Sequence, residues 1–284
     1  MKAFVLSLVS MTLATGVSIG AEARGSFDRS LAVSGPVELD VSTDSGGITV
    51  TSGASGSVRI HAVLTSQHGW WGSEDVERRI RELERNPPVV QTGNSVRIGY
   101  VPTRDLLKGI SMRLEIETPA DTDLRARADS GGIRAKGILG HVNCKTDSGG
   151  IEVEDVGSNV HAQADSGGIH INNVKGLVFA RVDSGGIDAT QITGAVDAEA
   201  DSGHIRISQT SPGLIHAKAD SGGVSVKLAP GAGYDINAES ESGHITVPEM
   251  TVNSAFSRHH IEGKIRGGGP LVTIHVDSGG VTIE

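Results

Sequence analysis

Apolar and polar residues alternate with period two through most of the chain, and the alternation itself recurs every eighteen residues. Its punctuation is Asp-Ser-Gly-Gly-Ile at Asp129, Asp147, Asp165 and Asp183, with variants at Asp201, Asp220 and Glu241, a copy at Asp277 and an early copy at Asp44. Counting the acid as position one, position five holds residues such as Ile133, Ile151 and Ile169, and position seven Ala135, Val153 and Ile171. Position fourteen holds Val142, Val160, Val178 and Val196, and position sixteen Cys144, Ala162, Ala180 and Ala198. Period two marks a strand with one buried face, so each repeat carries two short strands. The Asp-Ser-Gly-Gly between them reads as a tight turn: Gly tolerates positive φ, and Asp can hydrogen-bond the backbone two residues on. Strands recurring at a fixed period pair with the same strand of the next repeat. The fold expected is therefore all-β, a parallel β-solenoid of roughly nine 18-residue coils.

The thirty-six residues between Glu241 and Asp277 are twice the period. A hidden repeat beginning at His259 places Val272 and Ile274 at positions fourteen and sixteen and Val276 at eighteen, so the register is expected to survive there. The chain then ends on Val281-Thr282-Ile283-Glu284, and this strand is expected to have an unoccupied edge, a template for an added strand.

Upstream of the array, residues 1–23 read as a secretory signal peptide: Lys2, an apolar run over Ala3 to Val17, and Ala21-Glu22-Ala23 as the cleavage pattern. The apolar run is too short for a membrane span. Residues 24–120 form an N-terminal β region, in which Leu39, Val41, Ile48 and Val50 frame the Asp44 turn. Its insertion carries one helix, about 73–86. Ser73 supplies the N-cap, Glu74 and Asp75 suit the first turn, and Val76, Ile80 and Leu83 form the apolar stripe. A solenoid end exposes unpaired strand and open core, so this helix with Trp70 and Trp71 is expected to cap it. Residues 121–284 are the repeat array.

Composition narrows the function more than the fold. Aromatic residues are 3%, so the core must be built from Ala, Val and Ile, and many of the 39 glycines serve the turns. A net charge of −9 without a Lys/Arg cluster gives nothing to track phosphates, so no nucleic-acid partner is expected. Cys144, the single cysteine, stands in a column of alanines and reads as core.

Asp-Ser-Gly is also the aspartic-protease tripeptide, but those enzymes bring two copies together, whereas here the tripeptide recurs at solenoid spacing. Stacked turns would set carboxylates about 4.8 Å apart, near the ~5 Å of a retaining glycosidase pair. A carbohydrate-active β-helix enzyme, a polysaccharide hydrolase or lyase, is therefore the alternative reading. Against it, the turn acids Asp44, Asp129, Asp147, Asp165, Asp183, Asp201, Asp220, Glu241 and Asp277 repeat almost unchanged, and outward positions offer few aromatic faces for a glycan. No catalytic residue and no cofactor is expected. For a metal the candidates are His204, Glu241, His244, His259 and His260, which read more simply as exposed turn residues.

The signal peptide, the early Asp44 turn, the charged helix followed by Asn94-Ser95-Val96-Arg97-Ile98, the Asp-Ser-Gly-Gly-Ile series and the closing Gly267-Gly268-Gly269-Pro270 together resemble a bacterial adhesin-like β-strand-repeat family, domain of unknown function 4097. The resemblance implies an envelope or surface location and no assigned catalytic residues. The expected function is an exported non-enzymatic module, adhesin-like or structural, in the periplasm or at the cell surface. Its expected partners are another envelope protein, a surface glycan or a second copy through the C-terminal edge.

Overall fold

The computed structural model describes residues 24–66, 73–101, 106–247, 250–257 and 259–284. The signal-peptide segment and the Trp70–Trp71 pair lie outside them.

Each coil has a leading strand that ends in the acid and serine of the turn, then a trailing strand that begins at position five. Val142–Ser148 and Ile151–Val156 are one such pair, Val160–Ser166 and Ile169–Val174 the next. Leading strands stack on leading strands in parallel and in register, Val142 on Val160 and Cys144 on Ala162, and trailing strands do the same. The result is two sheets, of 13 and 12 strands, facing each other across a narrow core. The parallel β-solenoid is what the period demanded. Positions five, seven, fourteen and sixteen are buried, save Ile245 and Val247 of the Glu241 coil, which are half-buried, and two further columns join them. Position ten contributes Ile138, Val156, Val174 and Ile192, and position eighteen contributes residues such as Ala164 and Val182. Where the core reaches polar chain it is satisfied: Gln209 takes the place opposite Ile192, donates to the Gly194 carbonyl at 2.8 Å, and accepts from the Tyr234 hydroxyl at 3.1 Å.

The Asp44 coil is not separate from the array. Val37–Ser45 pairs in register with Thr122–Ser130, so the insertion loops out and the chain returns to stack directly on its own first coil. The helix Ser73–Arg85 lies against the strands Arg24–Ala32 and Ser57–Ser66 at that end. It buries Ile80 and Leu83, with Val76 packed alongside. Glu84 accepts the Ser26 backbone N–H at 2.9 Å, which satisfies a donor on the outermost strand.

At the other end the structure corrects two expectations. The C-terminal strands Leu271–Ser278 and Val281–Ile283 do not follow Glu241's coil; they slot between it and the Asp220 coil. Val272 pairs with Ile215 on one side and Ile236 on the other, and Val281 pairs with both Val224 and Ile245. The coil order in space is therefore Asp201, Asp220, Asp277, Glu241. The strand Val281–Ile283 does not present the expected unoccupied edge: Val281 and Thr282 pair with Ile245 and Thr246 on one side, and Val281, Thr282 and Ile283 pair with Val224, Ser225 and Val226 on the other. The register expected at Val272, Ile274 and Val276 holds, and all three are buried. The hidden repeat from His259 does not: His260–Ile265 runs antiparallel to Tyr234–Ser242 and is followed outward by Met250–Phe256. The last leading strand thus gains a two-strand antiparallel extension, while the trailing sheet ends on the short strand Ile245–Thr246.

Candidate functional site

The most repetitive exposed feature is the ridge of turns. In each turn but that of Glu241, the first glycine adopts positive φ, as Gly149 does at 150° and Gly167 at 131°, and its N–H donates to the serine carbonyl of the next coil in space, Gly149 to Ser166 at 2.9 Å. The turn is held by this stitch between coils and not by its acid. The side chains of Asp147, Asp165, Asp183 and Asp201 are exposed and have no hydrogen-bond or ion-pair partner among the described residues, which corrects the expected bond from Asp to the turn backbone. What remains is a column of carboxylates with a rise of about 4.8 Å per coil.

The two outer sheet faces are ladders of paired charges. On the trailing face Arg134 meets Glu152 (Nε to Oε2, 2.8 Å), Lys136 meets Glu154 at 2.6 Å, and Arg206 meets Asp188 at 2.5 Å. Hydrogen bonding to Glu154 holds the Lys136 pKa above its ordinary value. On the leading face Arg181 donates to Glu199 at 2.9 Å, and His161 stacks on Phe179 with ring centroids 4.5 Å apart. Partial burial pushes the His161 pKa down. Near the N-terminal end the outer face of the trailing sheet curves into a groove of ≈ 770 Å³ lined by Asp28, Arg59, His61 and Glu117 among others. Those charges are already paired: His61 sits 2.8 Å from Asp28 and Arg59 3.2 Å from Glu117.

The metal candidates divide. His204 faces Asp188, Nε2 to Oδ2 at 3.7 Å, three coils from His244, whose carbonyl accepts the Val281 N–H at 2.9 Å. His259 Nδ1 lies 3.1 Å from the Ser240 carbonyl, and His260 stands opposite Glu239 in the antiparallel pair. Glu241 meets neither His204 nor His244; its neighbours are His275 and Asp277. His275 escaped the sequence reading, although it stands two residues before Asp277 just as Glu239 stands before Glu241, and that shared column was the available signal. Cys144 is buried among its alanines, and burial pushes its thiol pKa up to about 12, so it is inert as a nucleophile.

Among the described residues no helix is long and apolar enough to cross a membrane. The Toastrack DUF4097 family profile matches residues 89–284. A candidate cell adhesion protein from Clostridium sporogenes ATCC 15579 is similar in structure, at 11% identity over 91% of this chain and 99% of that one, with a TM-score of 0.31. A candidate adhesin from Bacteroides fragilis NCTC 9343 is similar at 15% identity over 92% and 97%, with a TM-score of 0.46. No curated protein matches the chain.

Proposed function

The chain belongs to the Toastrack DUF4097 family, and from that premise we propose that it is an exported, non-enzymatic, adhesin-like module of the cell envelope. The observation that carries the reading is the repetition of its outer faces. Arg134–Glu152, Lys136–Glu154 and Arg181–Glu199 each link the same position of neighbouring coils, and the exposed turn acids Asp147, Asp165, Asp183 and Asp201 stand in equivalent surroundings along the middle of the array. Chemistry at one point needs a few residues set apart by their environment; a surface built by repetition suits extended contact with another surface. Residues 1–23 would direct export. Residues 24–120, with the helix, would close one end of the array formed by 121–284. The partner class is another envelope protein or a surface glycan.

The test is incubation of the purified protein with isolated envelope material and a polysaccharide panel, scoring retention and the release of new chain ends. Retention without cleavage is expected. Asp165→Asn and Asp183→Asn should each shift stability by no more than about 1 kcal/mol, since relieved repulsion between carboxylates ~5 Å apart in water is of that order. Polysaccharide cleavage that one particular Asp pair abolishes, with the melting temperature unchanged, would replace this reading with the glycosidase alternative.

A further inference from the structure

The insertion of the C-terminal coil creates a patch that chain order alone would not. Glu239 and Glu241 lie on one leading strand, His275 and Asp277 on the next, and residues at i and i+2 of a strand share a face. Glu239 pairs in register with His275, and the pairs Ser240–Val276 and Ser242–Ser278 place Glu241 beside Asp277. His275 Nε2 lies 3.0 Å from Asp277 Oδ1, and its Nδ1 lies 3.5 Å from Glu239 Oε2. One ligand atom each from Glu241, His275 and Asp277 fall within 4.8 Å of one another.

Two independent features separate this patch from the acidic ridge beside it. First, the column two residues before the turn acid carries a cation in four other coils (Arg127, Lys145, Arg181 and Lys218) and Ser42, Gln163 and Glu199 in the remaining three, but Glu239 and His275 side by side here. The nearest of those cations, Lys218, is held by Asp220 at 3.4 Å. Three carboxylates consequently surround one imidazole. Second, the imidazole is oriented from behind. Glu239 Oε2 stands 3.5 Å from Nδ1 and Asp277 Oδ1 3.0 Å from Nε2, so an ion taking Nε2 would leave Glu239 placed to receive the Nδ1 proton, the carboxylate–histidine arrangement by which proteins fix the tautomer of a metal ligand. The comparable group Asp197, Glu199 and His216 lacks this freedom, because Arg181 occupies Glu199.

We propose that Glu241, His275 and Asp277 bind a divalent transition-metal ion of the zinc type, with Glu239 orienting the histidine. One imidazole nitrogen and carboxylate oxygens suit Zn²⁺ better than the all-oxygen preference of Mg²⁺ or Ca²⁺. Bound there, the ion bridges two leading strands and fastens the inserted C-terminal coil to the Glu241 coil. This site goes beyond the envelope reading and does not depend on it.

Isothermal titration of the chelator-stripped protein with zinc chloride tests it, alongside thermal unfolding with and without zinc. The result expected is one ion per chain and a raised unfolding temperature. His275→Ala and Glu241→Gln should each weaken binding at least ~10-fold and remove the thermal shift, and Glu239→Gln should weaken it by about 10-fold as an orienting residue. His216→Ala and Asp147→Asn should bind like the unaltered protein. All five side chains are at least partly exposed, so circular dichroism is expected to match throughout. Absence of binding at millimolar zinc would overturn the proposal. So would binding that His275→Ala and Glu241→Gln leave intact, or binding that His216→Ala weakens.

Discussion

Replacing Gly149 with alanine is expected to cost about 3 kcal/mol or more of stability, while the same change at its neighbour Gly150 costs about 1 kcal/mol or less. Gly149 sits at φ 150°, a region open in practice only to glycine, and a Cβ there would stand 2.3 Å from the carbonyl oxygen of Gly131 in the preceding coil. That oxygen is backbone and already accepts from the Thr146 hydroxyl at 3.1 Å, so it cannot move aside without breaking that bond and shifting the turn. At Gly150 the first atom met is the Gly168 carbonyl oxygen at 3.4 Å, an ordinary contact. In a linear stack each coil touches only its neighbours, so a lesion at Gly149 also divides the array into two weakly coupled blocks. Urea unfolding should show a lowered midpoint and a broadened or split transition for Gly149→Ala, and a curve close to the original for Gly150→Ala. Equal effects at the two positions would mean that the turns do not stack as described.

Deleting residues 271–284 is expected to do more damage than removing a terminal strand pair should. Val272, Ile274, Val276, Val281 and Ile283 are all buried. At ~1.5–3 kcal/mol each their burial contributes on the order of 10 kcal/mol, comparable with the whole stability of a typical domain. The deletion also leaves the Asp220 and Glu241 coils with nothing between them, so the segment Tyr234–Ile265 loses the strands to which it is hydrogen-bonded. Amide exchange should show residues 234–265 unprotected, with protection kept from the Asp44 coil through the Asp183 coil. Retained protection over 234–265 would contradict the inserted position.

The sequence made the solenoid, its period and its main buried columns legible because strand pairing in register forces the same residue class to recur at each level. The helix was equally plain, since Val76, Ile80 and Leu83 share one face. What the sequence hid is direction and order. Ile261, Gly263 and Ile265 alternate with polar residues as well in an antiparallel strand as in a parallel one, so period two could not tell a hidden coil from a hairpin. Nor does a repeat reveal that its last copy has moved inward by one place, and with it went His275 and the patch it completes. A third omission had a signal. Position nine holds Gly137, Asp155, Asn173 and Gln191, all at positive φ between 54° and 76°. Gly, Asp and Asn in one column mark a left-handed corner, although Gln191 blurs the mark.

The inserted C-terminal coil is tested most directly by disulfide formation between exposed turn serines replaced in pairs by cysteine. Ser278 is in register with Ser221 on one side and Ser242 on the other, whereas Ser221 and Ser242 stand two coils apart. Adjacent strands put paired Cα atoms about 4.8 Å apart, within disulfide range, and two steps put them about 9.6 Å apart, beyond it. Cys144 is fully buried and takes no part. Mild oxidation followed by mass spectrometry should show intramolecular disulfides in Ser221→Cys/Ser278→Cys and in Ser242→Cys/Ser278→Cys, and none in Ser221→Cys/Ser242→Cys. A disulfide in the last pair, with none between positions 221 and 278, would place the coils in chain order and contradict the account.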